Sequence, residues 1–250
     1  MRFRYRSSML VAVPVLLLVA APVALSAQSG QAPIVMSSGE LVGGGTAFEL
    51  TVRNNTPLAV TAWGVHAEFT YDDGRTLGGT WGGEGVYSFE GIVTDESGQR
   101  VIPPRTTIRA RFPISATSGY GGAARISASL GYAVFEDGTA VGSELHIARV
   151  FATRAEDARA WLRVQEALSR ARTGATGRAA LARAQSEMAY DDEGSFGDRH
   201  ARGTRVNLSI LADRSRKGLM PDSRIDQLLL EQQREAEARA QAAAKHAVRR

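Results

Sequence analysis

The spacing of apolar residues changes its period near Thr153, and this change limits the possible folds to those that join strands to helices at this point. Between residues 45 and 151, apolar and polar side chains alternate, as at Phe48, Leu50 and Val52, which indicates strands with one buried face. Beyond Thr153 the apolar residues recur every three or four positions, which indicates amphipathic helices. We therefore predict an α+β chain in which an antiparallel β half precedes a region of about four helices.

Six or seven short strands separated by turn signals are predicted in the first half, and Ile34–Met36 is the optional one. Asp73-Gly74 and Asp137-Gly138 each follow an alternating strand, and glycine supplies the positive φ that tight hairpin turns require. Such a series is typical of a β-sandwich of immunoglobulin-like kind. The predicted strands are Ile34–Met36, Thr46–Arg53, Leu58–Tyr71, Val86–Thr94, Arg105–Phe112, Ala124–Phe135 and Ala140–Phe151.

Five glycines lie between Gly78 and Gly85, with Trp81 among them. The preceding acids lack the spacing of a calcium loop, and the segment lacks the GK[ST] end of a phosphate-binding loop. We interpret the segment as a flexible connection in which Trp81 packs on the sandwich edge. The alternative is a surface loop that contacts a ligand.

Several short motifs in the β half resemble exported bacterial Ig-like sandwich domains of the FxLYD type. They are the polar turn Thr51–Thr56, the strand residues Leu58–Val60 and Val65–Phe69, and the proline turn Ile102–Pro104. The resemblance covers residues 46–112. It implies a sandwich fold outside the cytoplasm, and it implies no activity.

The first 27 residues have the organisation of a secretory signal. Three arginines precede an apolar run of 15 residues from Met9 to Val23, and small residues follow up to Ala27. We predict cleavage after Ser26 or after Ala27. An uncleaved membrane anchor is the alternative, although this run with its two prolines is short for the roughly 20 residues that a spanning helix needs. The sequence thus predicts export to the periplasm or the extracellular space, with membrane contact only through the uncleaved signal.

Cysteine is absent from the chain, which excludes disulfides, thiolate nucleophiles and cysteine-ligated zinc. Charge is divided between the two halves: residues 28–150 carry a net charge of −4, and residues 151–250 carry +5. Because the basic charge is balanced within the chain, its high pI does not indicate binding to nucleic acid, and we predict no nucleic-acid partner.

The helical half is predicted to contain helices at 153–172, 176–190 and 199–217, and a fourth helix from Pro221. The third helix carries Val206, Ile210 and Leu211 as its apolar residues. Beyond Leu230 the fourth helix is rich in alanine and arginine, so we expect it to project into solvent or fray. The alternative is a contact arm for an anionic surface or a partner helix. The predicted regions are a signal peptide (1–27), a flexible segment (28–44), a sandwich (45–151), a helical region (152–230) and a helical tail (231–250).

Catalytic motifs are missing from the sequence. No HExxH pair, G-x-S-x-G elbow or S-x-x-K motif is present. The one constellation that could bind a metal or form a hydrolytic site combines the acidic loop at 191–198 with His200, and acid-rich helix connections are ordinarily solvated. We therefore predict no catalytic residue, no cofactor and no metal site.

The function predicted from these observations is that of an exported non-enzymatic protein of the bacterial cell envelope. It would bind an envelope protein or an anionic polymer. The alternative is an unrecognised secreted or periplasmic hydrolase whose groups converge only in three dimensions. The basic run at 214–217 would either stabilise a helix C-terminus or contact an anion. The candidate contact residues are Trp81, Arg214, Arg216, Lys217, Arg234 and Arg239.

Overall fold

Antiparallel strands occupy the N-terminal half of the chain and helices occupy the C-terminal half, as the sequence predicts. The computed structural model describes residues 32–95, 99–114, 122–188 and 198–250, with the side chains of residues 198–201 outside the description. Residues 31–250 form one compact unit. The elements are β1 (Ile34–Met36), β2 (Glu40–Val42), β3 (Ala47–Asn54), β4 (Val60–Thr70), β5 (Thr76–Glu84), α1 (Val86–Phe89), β6 (Thr107–Pro113), β7 (Arg125–Phe135), β8 (Ala140–Gly142), α2 (Glu144–Arg172), α3 (Gly177–Glu187), α4 (Asp198–Arg216) and α5 (Asp222–Lys245).

The first sheet is built around β3. This strand pairs with β6 along one side, and with β2 and then β1 along the other, always antiparallel. Phe48, Leu50 and Val52 are buried, so the alternation in the sequence marks the inward face. The strand predicted at Ile34–Met36 is confirmed as β1, and β2 also lies within residues 28–44, so the expectation of a flexible segment is wrong for these two stretches.

The second sheet has the strand order β5-β4-β7-β8 and is also antiparallel. Its two hairpin turns contain Gly74 and Gly138, whose φ angles are 82° and 88°. Other residues are strained at such angles, so these two glycines meet a real backbone requirement. The hairpins predicted from the two Asp-Gly pairs are confirmed.

The glycine-rich stretch forms a strand instead of a loop. Residues Thr76–Glu84 are β5, which pairs along β4. A Cβ atom at Gly82 would lie only 2.2 Å from the Trp63 carbonyl oxygen, so the two backbones approach closely because Gly82 has no side chain. The prediction of a flexible connection over Gly78–Gly85 is therefore wrong.

One predicted strand is wrong, and another is confirmed only at its start, as β8. The helical turn α1 replaces the strand predicted for 86–94, and α2 begins at Glu144, inside the strand predicted for 140–151. Ile147 and Phe151 are buried and stand four residues apart, so this apolar run satisfies the helical period as well as the strand period. The chain changes from strand to helix earlier than its sequence pattern indicates.

Aromatic side chains connect the two sheets. The ring centroid of Phe48 in β3 lies 5.8 Å from that of Phe69 in β4, 5.4 Å from that of Trp81 in β5 and 5.0 Å from that of Phe112 in β6. Aromatic pairs at these separations stabilise a core beyond the area that they bury. All four side chains belong to one apolar cluster, to which both sheets contribute buried residues.

The four long helices share a second apolar core, which includes the fully buried Leu168, Leu208 and Leu229. Within the described residues, no helix combines the length and the apolar character needed to cross a membrane.

The alanine-rich end of α5 packs against the rest of the molecule. Ala236, Ala240 and Ala243 are buried, and α2 and α5 make the most extensive contact between helices. Small side chains let two helices approach closely, so alanine serves as a packing residue here. The expectation that the chain beyond Leu230 projects into solvent or frays is wrong.

Candidate functional site

Arg154 of α2 lies at the centre of a polar junction between the second sheet and the helices. Its side chain is 1% exposed. The guanidinium donates hydrogen bonds to both carboxylate oxygens of Glu84 at 2.9 Å, to Thr61 Oγ1 at 3.0 Å and to the carbonyl oxygen of His246 at 3.1 Å. These bonds use most of the donors on an arginine side chain. Arg154 therefore joins β4, β5 and the end of α5 instead of offering a cation to a ligand.

A second group of polar and aromatic side chains lies between α1, α2 and α5. The Tyr87 hydroxyl donates to Asp157 Oδ2 at 3.1 Å. The Arg239 guanidinium lies 4.8 Å from the ring centroid of Trp161 and 5.5 Å from that of Tyr87, and it forms an ion pair with Glu235. Burial and the neighbouring Asp157 carboxylate raise the pKa of Tyr87 far above its ordinary value of 10.0. The phenol therefore remains a hydrogen-bond donor at neutral pH.

The end of α5 is attached to the residue that follows α1. Glu90 Oε1 accepts a hydrogen bond from Lys245 Nζ at 2.8 Å and lies 2.5 Å from Nε2 of the buried His246. Burial raises the pKa of the Glu90 carboxyl, but the hydrogen bonds and charges of Lys245 and His246 outweigh it and leave the pKa below its ordinary value of 4.5. Glu90 is therefore held as a carboxylate.

The last residues of the chain contact the start of α2 and the β7–β8 turn. Arg249 forms a bidentate ion pair with Glu144, with N–O distances of 2.6 and 2.8 Å. The backbone N–H of Arg250 donates to the carbonyl oxygen of Gly138 at 3.1 Å. The segment that the sequence analysis considered as a contact arm is thus bound within the molecule.

Three of the predicted contact residues lie on β5 or α5. Trp81 packs among the aromatic rings of the two sheets, and Arg239 stacks between Tyr87 and Trp161. Arg234 is exposed on α5. The side chains of Trp81 and Arg239 therefore contribute to packing within the molecule.

The basic run at the end of α4 is exposed, and its members have different surroundings. Asp213 Oδ2 lies 2.7 Å from Lys217 Nζ, and Asp213 Oδ1 lies 3.8 Å from a guanidinium nitrogen of Arg216. Arg214 forms no ion pair within the ranges that the structure describes. Asp213 therefore partly neutralises the charges of Arg216 and Lys217 but does not pair with Arg214.

The acidic loop considered as a metal or hydrolytic site lies outside the described residues, and so does the side chain of His200. In the portion of the chain that is described, no group of three or more histidine, cysteine, aspartate or glutamate residues could hold a metal ion.

One face of α4 exposes an apolar pair among arginines, and the sequence analysis missed it. We define the α4 face as Arg202, Arg205, Val206, Ile210 and Arg214, which lie along an open depression of about 600 Å³. Val206 is 53% exposed and Ile210 is 49% exposed. The pair is separated by one helical turn, so the two side chains are neighbours on the surface.

Helical geometry explains why these two side chains point away from the core. At about 100° per residue, Val206 and Ile210 lie about 200° and 240° around the helix from the buried Thr204. Sequence periodicity groups them with Leu211 as the apolar residues of this helix, but only Leu211 faces inward. The spacing of the inward positions could have shown that Val206 and Ile210 lie on the outer face. The inward positions are Thr204, Leu208, Leu211 and Ser215.

Two other cavities lie in the helical half. α3 and α4 border a groove of about 610 Å³, where Arg178 Nε donates to Ser215 Oγ at 2.9 Å and lies 3.6 Å from Asp222 Oδ1. A smaller cavity of about 330 Å³ is lined by Trp161 and Arg239, which stack on each other. The charged groups of both cavities already contact protein partners.

Comparisons with known proteins give little. No family model matches the chain, and no curated protein gives a significant match. A 1.85 Å X-ray structure of a hypothetical protein from Peptoclostridium difficile 630 shares 8% sequence identity with this chain. The match covers 47% of this chain and 90% of that one, with a TM-score of 0.29, which is too low to support an argument about fold or function.

Proposed function

We propose that this chain is an exported, non-enzymatic binding protein of the bacterial cell envelope, and that the α4 face is its contact surface. The observation that carries the proposal is the exposure of Val206 and Ile210 on the side of α4 opposite the core. Export rests on the signal-like organisation of residues 1–27. After cell fractionation, an intact-mass measurement should find the chain in the periplasm or medium with its N-terminus at Ala27 or Gln28, and recovery of the unprocessed chain from the cytoplasm would contradict export.

We infer further that the two sheets form an Ig-like β-sandwich that supports the helices. The contacts of Phe48 in the first sheet with Phe69 and Trp81 in the second sheet support this inference. So does the single apolar cluster that draws on both sheets. The resemblance of residues 46–112 to exported Ig-like domains leads to the same expectation.

The composition of the α4 face matches that of protein contact surfaces. Such surfaces combine an apolar centre with a polar rim, and arginine is enriched in them. Single exposed aliphatic residues are common on any protein and need no explanation. Val206 and Ile210 differ because they adjoin each other and have arginines on both sides.

Two arginines of the α4 face are available to a partner. Within the described residues, Arg202 and Arg214 form no ion pair. Arg154, Arg170 and Arg239, by contrast, each pair with a carboxylate on the same molecule. An acidic envelope protein or an anionic polymer would supply the missing counter-charges.

Site-specific photocrosslinking in cells tests the proposal. A photoreactive residue at the exposed Ser209, which lines the same depression as Val206 and Ile210, should give a light-dependent adduct. The same residue at Arg159, exposed on α2, is the matched control and should give none. The proposal is wrong if Ser209 gives no adduct, or if both positions give the same adducts.

A further inference from the structure

We propose that the segment that docks on the α4 face is an acidic amphipathic helix of a partner protein. This inference rests on the proposed function, because it assigns a chemical class to the partner of the same surface. It follows from the length of the face, from its charge and from the kind of apolar centre that it presents.

The length of the α4 face suits a short helix. From Arg202 to Arg214 the helix advances by 12 residues, which is about 18 Å at 1.5 Å per residue. A partner helix of about three turns covers that distance. Val206 and Ile210 form a ridge of residues four apart, which fits between side chains at the same spacing on a second helix.

The charge of the α4 face selects acidic residues on the partner. Two arginines that form no ion pair within the described residues border the apolar pair. The acid beside them, Asp213, already contacts Lys217 and Arg216. Arginine pairs well with carboxylates because its planar fork matches their geometry. Glutamates or aspartates on both sides of an apolar stripe would therefore meet the arginines while the stripe covers Val206 and Ile210.

The same features disfavour other classes of partner. Helices that lie on membranes carry a broad apolar face with aromatic or leucine anchors, whereas the α4 face has two aliphatic side chains and no aromatic one. Phosphate groups of a nucleic acid would pair with the arginines but would leave Val206 and Ile210 without an apolar contact. An amphipathic acidic helix satisfies both parts of the surface.

Binding of designed peptides to the purified full chain tests this inference. Two fluorescent helical peptides of 15 residues share one leucine stripe, and their flanking positions are all glutamate in one and all lysine in the other. Fluorescence anisotropy should show the glutamate peptide binding at least about tenfold more tightly than the lysine peptide. Its affinity should fall several-fold between about 50 and 300 mM NaCl, because exposed charges are screened by salt.

Two variants locate the binding. Val206→Glu/Ile210→Glu should weaken binding of the glutamate peptide about tenfold or more, because it removes the apolar centre and adds like charge. The matched control is Leu145→Glu/Leu162→Glu, which alters two aliphatic residues of α2 that are 68% and 49% exposed. It should change the affinity less than about twofold. All four positions are exposed, and circular dichroism should show that both variants keep the fold.

A charge-reversed variant provides an independent check. Arg202→Glu/Arg214→Glu should reverse the preference, so that the lysine peptide binds more tightly than the glutamate peptide. Unchanged selectivity in this variant would overturn the inference.

Other outcomes identify a different occupant and overturn the inference. One is binding to phosphatidylglycerol vesicles that Val206→Glu/Ile210→Glu abolishes, and another is a dimer of this chain that the same variant dissociates. If the glutamate peptide fails while the Ser209 adduct forms, the partner class is wrong and the contact surface stands. If both fail, the proposed function is wrong as well.

Discussion

Arg154 is a buried cation whose partners come from distant parts of the chain. Glu84 lies 70 positions away and the His246 carbonyl lies 92 positions away. No local sequence pattern reports such pairings, so the junction could not be predicted from the sequence. Burial of an ion pair brings little net stability, but removal of one partner leaves the other charge poorly solvated.

Replacement of Arg154 should be costly. Arg154→Met is expected to lower the free energy of unfolding by about 3 kcal/mol, because it removes the ion pair and three elements lose their common donor. Arg170→Met is the control: this arginine is 58% exposed and pairs with Glu187, so its loss should cost less than about 1 kcal/mol. Urea denaturation measures both values. Equal losses of unfolding free energy in the two variants would show that the buried junction stabilises the fold no more than a surface ion pair does.

Gly82 and Gly83 give a matched test of strand β5. A Cβ atom at Gly82 would meet the Trp63 carbonyl oxygen and the Gly64 Cα, whereas nothing lies within 4 Å of one at Gly83. Gly82→Ala should therefore lower the free energy of unfolding by about 1–3 kcal/mol, and Gly83→Ala should change it by less than about 0.5 kcal/mol. Thermal unfolding of both variants checks the difference. Similar stabilities would mean that the close strand contact is absent.

Among the elements, the hairpins and most helix ends were predictable, whereas the start of α2 and the position of α5 were not. The Asp-Gly turns carry a local steric reason, so the sequence alone identified them. The start of α2 was missed because the run from Leu145 to Phe151 fits both periods. The position of α5 depends on contact with α2, and an alanine-rich sequence does not reveal whether a partner helix is present.

The packing of α5 can be tested with two adjacent alanines. Ala243 is fully buried and Ala244 is exposed. Ala243→Leu should lower the free energy of unfolding by about 1–3 kcal/mol because the larger side chain has no space. Ala244→Leu should have little effect, within about 0.5 kcal/mol. A frayed C-terminal helix would instead tolerate leucine at both positions.

The contact between α1 and the end of α5 should depend on pH. The folded-state pKa of Glu90 is lowered by Lys245 and His246, so its contribution to stability is present above the ordinary value of 4.5 and is lost as the pH falls through the folded-state pKa. Glu90→Gln should therefore be less stable than the unaltered chain at pH 7, and the difference should shrink below pH 4.5. Urea unfolding measured at several pH values checks this. A difference that stays constant from pH 7 to strongly acidic pH would show that ionisation of Glu90 is not involved.

At the scale of the whole molecule, the junction explains how the two oppositely charged halves are held together. Ion pairs run from β5 to α2, from Glu90 to the end of α5 and from Glu144 to Arg249. These ion pairs and an apolar cluster of Ala62, Val134, Ile147 and Phe151 together connect the β half to the helices. On the described surface, the α4 face brings two neighbouring aliphatic side chains together with Arg202 and Arg214, which form no ion pair among the described residues.

The sequence indicated that strands precede helices, that the end of α4 is basic and that catalytic motifs are absent. It did not indicate the exposed apolar pair on α4, because Val206 and Ile210 look like core residues until the buried positions of α4 are known. Of the candidate contact residues, Arg214 belongs to the α4 face, while Trp81 and Arg239 contribute to internal packing.

Capture of a partner from envelope extract by the full chain and its two double variants tests whether the α4 face is the contact surface. If the α4 face is the contact surface, the unaltered chain and Leu145→Glu/Leu162→Glu will crosslink the same partner, and Val206→Glu/Ile210→Glu will not. Capture by all three proteins would place the contact elsewhere and contradict the account.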